Sequence, residues 1–235
     1  MPDSDRPVSR ILCWPVSEST ETPVGYRIQE IFPTLQGEGA QAGRSAVFLR
    51  FSGCNLWDGD SRSREEAACP FCDTDFVSLA GEHAGDYPDA RSLAAVVSDC
   101  WTGSGGTPYV VCTGGEPLLQ LDTPLLDALR ERGFEIAVET NGTRELPVGI
   151  DWVCVSPKAG TRWVRKAGDE LKIVWPQAFE LETLEALPFR HLFLQPKDDP
   201  DPATAARNRA ATVEACRLRP SWRLSFQTHK ALGIP

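Results

Sequence analysis

Three cysteines lie close together in the first third of the chain, and their spacing suits metal binding. Cys54 is followed by a fourteen-residue polar and charged segment, and then by Cys69 and Cys72 in a C-x-x-C arrangement. A structural zinc site normally needs four Cys or His ligands, and the nearest further candidate in sequence, His83, lies in a glycine-rich acidic loop. Three thiolates that leave one position open instead suit an iron–sulfur cluster whose fourth iron binds another molecule.

Polar residues follow a series of apolar runs along the chain. Seven runs predict buried strands, at 46–52, 109–114, 134–141, 151–157, 170–175, 191–196 and 222–228. Near their ends come Arg50, Thr113, Glu139, Asn141, Ser156, Lys158, Gln195, Gln227 and His229. The carboxyl ends of parallel barrel strands meet at one rim, so we expect these side chains to share a site. The alternative is that strands simply end in polar loops.

The elements that would position these residues predict an α/β fold. The apolar runs are nearly continuous, which is typical of a parallel sheet covered on both faces. Helical patterns occur at 90–101, 124–132, 179–187 and 203–218, whereas Gly and Pro break the connections at 142–150 and 158–169. We therefore predict an incomplete TIM-like barrel of mainly parallel strands with a reduced number of helices. Residues 26–235 would form its single domain, and the Pro-, Ser-, Thr- and acid-rich residues 1–25 a loosely ordered tail.

The composition narrows the class of substrate. The chain has 235 residues and a formal net charge of −9, which argues against a nucleic-acid-binding face. It contains no apolar run long enough for a membrane span, and its start lacks the features of a signal peptide. Its eight cysteines fit a reducing cytoplasm. A small-molecule substrate is favoured, without a nucleic acid or membrane partner.

Longer sequence blocks carry a resemblance to one family. The three cysteines, followed by CTGGEP at 112–117, resemble radical S-adenosylmethionine (SAM) enzymes, whose usual signature is C-x3-C-x2-C. The chain is similar to the 7-carboxy-7-deazaguanine synthase family in blocks at 30–57, 72–76, 111–120, 139–143, 155–160, 193–196 and 227–235. The long gap between Cys54 and Cys69 departs from the superfamily signature.

The resemblance implies a reaction and its cofactors. Cys54, Cys69 and Cys72 would hold a 4Fe–4S cluster whose open iron binds SAM. Reductive cleavage of SAM would give a 5′-deoxyadenosyl radical that removes the C6 hydrogen of 6-carboxy-5,6,7,8-tetrahydropterin. Ring contraction with loss of ammonia would then give 7-carboxy-7-deazaguanine, a precursor of queuosine-type deazapurines. A flavodoxin or ferredoxin reductant and a homodimer are also expected from the family.

The resemblance also assigns residues, and it leaves the radical from SAM as the reactive group. The SAM-binding residues would be Thr113, Gly114, Gly115, Glu116, Ser156, Lys158 and Gln195. The substrate-binding residues would be Gln36, Glu38, Arg50, Thr113, Glu139, Asn141, His229 and the α-carboxylate of Pro235. Thr74 would be the protein ligand of a Mg²⁺ ion, although Asp73 and Asp75 are better ligands on chemistry alone.

Two other classes of function stay open at this point. A radical SAM activase, which abstracts hydrogen from a glycine of a partner protein, would share the cysteines and the TGGEP turn. It would need an open groove for that protein. A non-enzymatic zinc or electron-transfer protein is the other alternative, but a ferredoxin uses four cysteines for each cluster.

Overall fold

One sheet of nine strands organises the computed structural model, which describes residues 25–235. Across the sheet the strand order is β3-β1-β2-β4-β5-β6-β7-β8-β9. Apart from Gly25, the predicted tail at 1–25 lies outside the described residues. In chain order the strands are β1 (Tyr26–Leu35), β2 (Ser45–Phe51), β3 (Gly85–Tyr87), β4 (Tyr109–Gly114), β5 (Glu135–Thr140), β6 (Trp152–Val155), β7 (Gly168–Trp175), β8 (Phe189–Pro196) and β9 (Arg223–Leu224).

The sheet is an open barrel of mainly parallel strands. Each neighbouring pair from β2 through β4 to β9 is parallel. Within the described residues, β3 and β9 are the two edges and do not pair with each other, so the barrel is incomplete. The prediction of a partial TIM-like barrel with few helices is confirmed. The helices of the described residues are α1 (Ala90–Asp99), α2 (Thr123–Arg130), α3 (Leu181–Glu185), α4 (Pro202–Leu218) and α5 (Thr228–Leu232).

Side-chain alternation along the buried strands separates the outer core from the barrel interior. On β4, Val110 and Cys112 join the large cluster under the helices, whereas Tyr109 and Val111 join a smaller cluster on the other face. Both faces of this strand are thus buried, which explains why its sequence is apolar throughout. Such strands end in polar residues only where they leave the core.

Local sequence also fixes where the helices α2 and α4 begin. The Asp122 side chain accepts a hydrogen bond from the Leu125 N–H at the start of α2, and Asp201 caps α4 through the N–H groups of Ala203 and Thr204. Each cap satisfies backbone donors that have no partner inside the helix. Both helices return the chain from the site rim to the start of the next strand. As predicted, the connections at 142–150 and 158–169 contain no helix.

The two antiparallel strands at one side of the sheet, β1 and β3, were not predicted, and one predicted strand is largely wrong. β1 pairs antiparallel with β2, and β3 pairs antiparallel with β1. The predicted strand at 222–228 is reduced to two residues, because the chain turns away after β9 and α5 begins at Thr228. There the Ser225 hydroxyl donates to Gln195 and accepts from the Gly39 N–H, in place of a further strand pair.

The segment after β9 packs against the end of β1 and the turn that follows it. The Thr228 N–H donates to the Gly37 carbonyl at 3.0 Å. The Thr34 hydroxyl donates to the Pro235 carbonyl oxygen at 2.6 Å. These contacts connect the end of the described chain with the turn between β1 and β2. Among the described residues, no helix is long and apolar enough to cross a membrane.

Candidate active site

A cavity of about 610 Å³ opens at the carboxyl ends of the parallel strands. Every residue predicted for the site lines it except Glu116, so the expected convergence at one rim is observed. The predicted residues that line the cavity are Gln36, Glu38, Arg50, Cys54, Cys69, Cys72, Thr74, Thr113, Gly114, Gly115, Glu139, Asn141, Ser156, Lys158, Gln195, His229 and Pro235.

The three cysteines all line the cavity. Cys69 is buried, whereas Cys54 and Cys72 are half-buried, and all three are free thiols. Burial raises the pKa of each thiol, to about 11 for Cys69. The Lys158 ammonium has the opposite effect on Cys69 and Cys72, and so do backbone N–H groups close to each sulfur. Without a metal these thiols keep their protons, so a metal must displace them on binding.

The TGGEP turn after β4 lies directly against the first cysteine. A Cβ on Gly115 would overlap the Gly53 carbonyl and come within 2.8 Å of the Cys54 Cβ, so only glycine permits this approach. Gly114 has φ +152° and a similarly close contact with the Phe51 carbonyl. The two predicted motifs, the cysteines and the glycine turn, are therefore in contact.

Glu116 is the one predicted residue whose side chain faces away from the cavity. It is fully buried, and it accepts hydrogen bonds from the Thr140 hydroxyl and from the N–H groups of Leu118 and Asn141. Burial raises the pKa of the Glu116 carboxyl, and these hydrogen bonds oppose that effect. In this structure the carboxylate binds the protein itself and holds the TGGEP turn to the end of β5.

A buried lysine and two carboxylates form a charged network in the same cavity. The Lys172 side chain, on β7, is only 4% exposed. Its Nζ lies 2.5 Å from Glu38 and 3.3 Å from Glu139. The second Glu38 oxygen accepts from Gln227 at 2.9 Å, and Gln36 donates to Glu139 at 2.9 Å. The carboxylates are thus held in place by donors on separate elements.

The charges in this network decide the protonation of Glu38. Burial alone would raise its pKa, but the Lys172 ammonium and two hydrogen bonds prevail and lower it to about 2. For Lys172, burial favours the neutral amine, while Glu139 and Glu38 outweigh burial and raise the pKa well above its usual value. Glu38 is therefore an ionised acceptor in a largely buried position.

Arg50 is the cation of β2 that lines the cavity. Its Nε donates to Glu30 on β1 at 2.6 Å. Among the described residues, neither terminal nitrogen of this guanidinium has a protein acceptor, so their N–H groups are available to a ligand in the cavity. Paired N–H groups of this kind bind a carboxylate in a fixed geometry.

Three oxygen-bearing residues follow Cys72 and differ in how far the protein already uses them. The Asp73 carboxylate pairs with Lys230 at 2.7 Å. The Asp75 carboxylate accepts from the N–H groups of Val77 and Ser78. Thr74 lies between them on the cavity lining, with its hydroxyl bonded to no described residue. Of the three side chains, only that of Thr74 has no hydrogen bond to a described residue.

Comparisons with known proteins agree with this site. A model of the radical SAM superfamily matches residues 66–170. A 7-carboxy-7-deazaguanine synthase from Bradyrhizobium diazoefficiens is 54% identical over 212 residues, covering 90% of this chain and all of the relative. The synthase from Nitratidesulfovibrio vulgaris is 56% identical and covers 89% and 99% of the two chains. The chain belongs to the 7-carboxy-7-deazaguanine synthase family. The crystal structure of QueE from Escherichia coli, 30% identical, matches with a TM-score of 0.63 over 86% of this chain and 94% of that one.

The donor set fits the 4Fe–4S cluster of this superfamily. Each cysteine would bind a different iron, so the three sulfurs need not converge on one point. Within the part of the chain that the structure describes, no three Cys, His, Asp or Glu side chains are close enough together to hold a single metal ion. The superfamily match begins at residue 66, so Cys54 precedes the matched range although it lines the same cavity.

Lys172 and Glu30 also line the cavity, but neither was predicted as a site residue. Lys172 lies inside the apolar run ELKIVW, where a charged residue in a buried strand was the available signal. Glu30 lies on β1, which was not recognised as a strand. Gln227 was placed at the rim by its position after an apolar run, and it does line the cavity beside Glu38.

Proposed function

We propose that this chain converts 6-carboxy-5,6,7,8-tetrahydropterin to 7-carboxy-7-deazaguanine with loss of ammonia, in a Mg²⁺-dependent radical SAM reaction of queuosine-type deazapurine biosynthesis. One observation carries the proposal: a single cavity is lined both by three thiols and by an ionised carboxylate and an arginine. Membership of the synthase family agrees with this arrangement.

The part of the cavity that the three cysteines line is the proposed cofactor site. Cys54, Cys69 and Cys72 hold the 4Fe–4S cluster, and the cluster with SAM supplies the organic radical that removes a hydrogen atom from the substrate. The exposed backbone of Gly114 and Gly115 is available to the methionine part of SAM beside Cys54. The further SAM contacts that we propose are Thr113, Ser156, Lys158 and Gln195, with Glu116 fixing the turn from behind.

The part of the cavity that Glu38 and Arg50 line is the proposed substrate site. Glu38 accepts two N–H groups of the pterin ring, since Lys172 keeps it ionised and Gln227 fixes its orientation. The terminal N–H groups of Arg50 bind the substrate carboxylate. The remaining substrate contacts that we propose are Gln36, Thr113, Glu139, Asn141, His229 and Pro235.

Thr74 is the proposed protein ligand of Mg²⁺. Its hydroxyl is free, whereas Asp73 and Asp75 already bind protein groups. Mg²⁺ keeps several waters and takes few protein ligands, which suits a single hydroxyl beside substrate oxygens.

A reductant and a second subunit complete the proposal. A flavodoxin or ferredoxin supplies the electron. A homodimer is supported by the short edge strand β9 and the exposed apolar Leu224 and Phe226 beside it, since such edges are usually covered. We place the reaction in the cytoplasm, because none of the seven described cysteines is in a disulfide.

The activase alternative is disfavoured by the residues after β9 that line the cavity. An enzyme that acts on a protein glycine needs a groove into which a partner segment can fit. Here His229 and Pro235, from the segment after β9, line the same cavity as Glu38 and Arg50. The free space suits a bicyclic small molecule with a carboxylate.

An anaerobic turnover assay tests the proposal. Reconstituted protein receives 6-carboxy-5,6,7,8-tetrahydropterin, SAM, Mg²⁺ and a reductant, and products are identified by mass spectrometry. We expect 7-carboxy-7-deazaguanine from the wild type and from Cys216→Ala, a cysteine outside the cavity, but not from Cys69→Ala. Formation of 5′-deoxyadenosine without 7-carboxy-7-deazaguanine would refute the proposed substrate. Neither product from protein with a full cluster would refute the function.

A further inference from the structure

The fourteen residues between Cys54 and Cys69, here called the inter-cysteine segment, have an ordered structure of their own. The Trp57 indole N–H donates to the Asp60 carbonyl at 3.1 Å, and the Ser63 hydroxyl donates to Asp58 at 2.5 Å. The Trp57 ring is buried and packs edge-on against Phe76, with ring centroids 5.6 Å apart. The segment is therefore anchored to the protein behind the cysteines.

This anchor presents one guanidinium to the C-x-x-C loop. Arg64 lies with its Cζ 4.1 Å from the centre of the Trp57 ring, the geometry of a cation–π contact. Its Nη1 donates to the Pro70 carbonyl at 3.1 Å and to the Cys72 carbonyl at 3.0 Å. Pro70 and Cys72 both lie in the Cys69–Cys72 loop, which carries two of the three thiols. One side chain thus bridges two carbonyls of that loop.

The charge of Arg64 is directed at the cysteines. Across the described residues, no carboxylate lies within 4.0 Å of its guanidinium, whereas the neighbouring Arg62 pairs with Asp60. A cluster held by three thiolates is anionic, so an unpaired cation beside it is favourable.

We propose that Arg64 is a positioning residue that clamps the C-x-x-C loop in the shape that retains the cluster. The inter-cysteine segment exists, in this view, to carry Arg64 and the Trp57 ring beneath it. The inference rests on the cluster of the proposed function but not on the identity of the substrate.

The matched pair Arg64→Gln and Arg62→Gln tests the clamp. Both remove one arginine from the same segment, but the Arg62 side chain is 89% exposed and does not contact the cysteine loop. After anaerobic reconstitution, iron per chain and the rate of cluster loss to a chelator are measured. Loss of the two hydrogen bonds of the guanidinium predicts cluster loss at least about tenfold faster in Arg64→Gln, which corresponds to about 1.4 kcal/mol or more. Arg62→Gln should match the wild type.

A second readout needs no cluster. In the apo-protein, amide hydrogen exchange of residues 69–74 should rise in Arg64→Gln, while the melting temperature stays that of Arg62→Gln. Arg64→Lys keeps the charge without the planar fork, and it should lose its cluster at an intermediate rate. Equal cluster loss in the Arg64→Gln and Arg62→Gln variants, or unchanged exchange at 69–74, would overturn the clamp alone. A wild-type protein that assembles no cluster would refute the proposed function and the clamp together.

Discussion

Replacement of Lys172 by methionine removes the only buried cation that contacts Glu38 among the described residues. Methionine has a similar volume but no charge, so the Glu38 and Glu139 carboxylates lose their partner. The difference between a pKa of about 2 and the usual 4.5 for Glu38 corresponds to about 3 kcal/mol, at about 1.4 kcal/mol for each pH unit. Breaking a buried ion pair typically costs about 3–5 kcal/mol. We expect Lys172→Met to lower the free energy of unfolding by about 3 kcal/mol.

Urea denaturation of the apo-protein at neutral pH, followed by circular dichroism, measures this loss. The double variant Lys172→Met/Glu38→Gln is the internal control, because it removes one of the two stranded carboxylates. It should recover part of the stability, giving a coupling free energy of at least about 1 kcal/mol. In the turnover assay, Lys172→Met should raise the KM for the pterin about tenfold or more, since protonated Glu38 no longer accepts a pair of N–H groups.

Two results would refute this reasoning. One is a Lys172→Met protein within about 0.5 kcal/mol of the wild type, the range usual for surface substitutions. The other is strict additivity in the double variant, which would mean that Lys172 and Glu38 do not interact.

Four further changes have definite expected outcomes. Gly115→Ala should impair cluster assembly, measured as iron per chain, because its Cβ would overlap the Gly53 carbonyl. Thr74→Ala should weaken the Mg²⁺ dependence of turnover at least severalfold while leaving iron content intact. Deletion of Pro235 should lower turnover while leaving the melting temperature close to that of the wild type. Glu38, with its lowered pKa, contributes stability that is complete above about pH 4.5 and is lost as the pH falls towards 2, so Glu38→Gln should reduce the acid destabilisation of the apo-protein in that window.

Each of these expectations has a contrary result. Full iron content in the Gly115→Ala protein would show that the turn can move away from the cysteine. An unaltered Mg²⁺ titration in the Thr74→Ala protein would move the ligand to a neighbouring aspartate. Equal losses of turnover and stability without Pro235 would make its role structural. Identical acid unfolding of Glu38→Gln and wild type would mean that Glu38 is not held ionised by its surroundings.

The parallel strands were predictable because their sequences report burial on both faces. The run at 109–114 coincides with β4, and the polar residue that ends it, Thr113, lies on the cavity as expected. β1 was harder to predict, because it contains Pro33 and charged residues and is partly exposed along its length. Its antiparallel pairing with β2 depends on a partner distant in sequence, which local patterns do not encode.

The site was predictable where residue type and position sufficed, and not where a side chain could turn either way. Glu116 was expected at the cofactor from its motif, but the motif does not reveal that Thr140 and two N–H groups take up its carboxylate. Lys172 illustrates the converse. Its position in a buried strand was visible, but its role requires Glu38 and Glu139, which come from two other parts of the chain.

The inter-cysteine segment changes the entropy of the loop that it lengthens. Extending a gap from three residues to fourteen costs about 1.3 kcal/mol of closure entropy, because each doubling of loop length adds about 0.6 kcal/mol. The two hydrogen bonds of Arg64 to the Pro70 and Cys72 carbonyls are of similar or greater magnitude. An insertion at this place can therefore persist through evolution at little net thermodynamic cost, provided that it brings its own supports. Among natural variants, we expect the ring at position 57 and the guanidinium at position 64 to be gained or lost together with the segment.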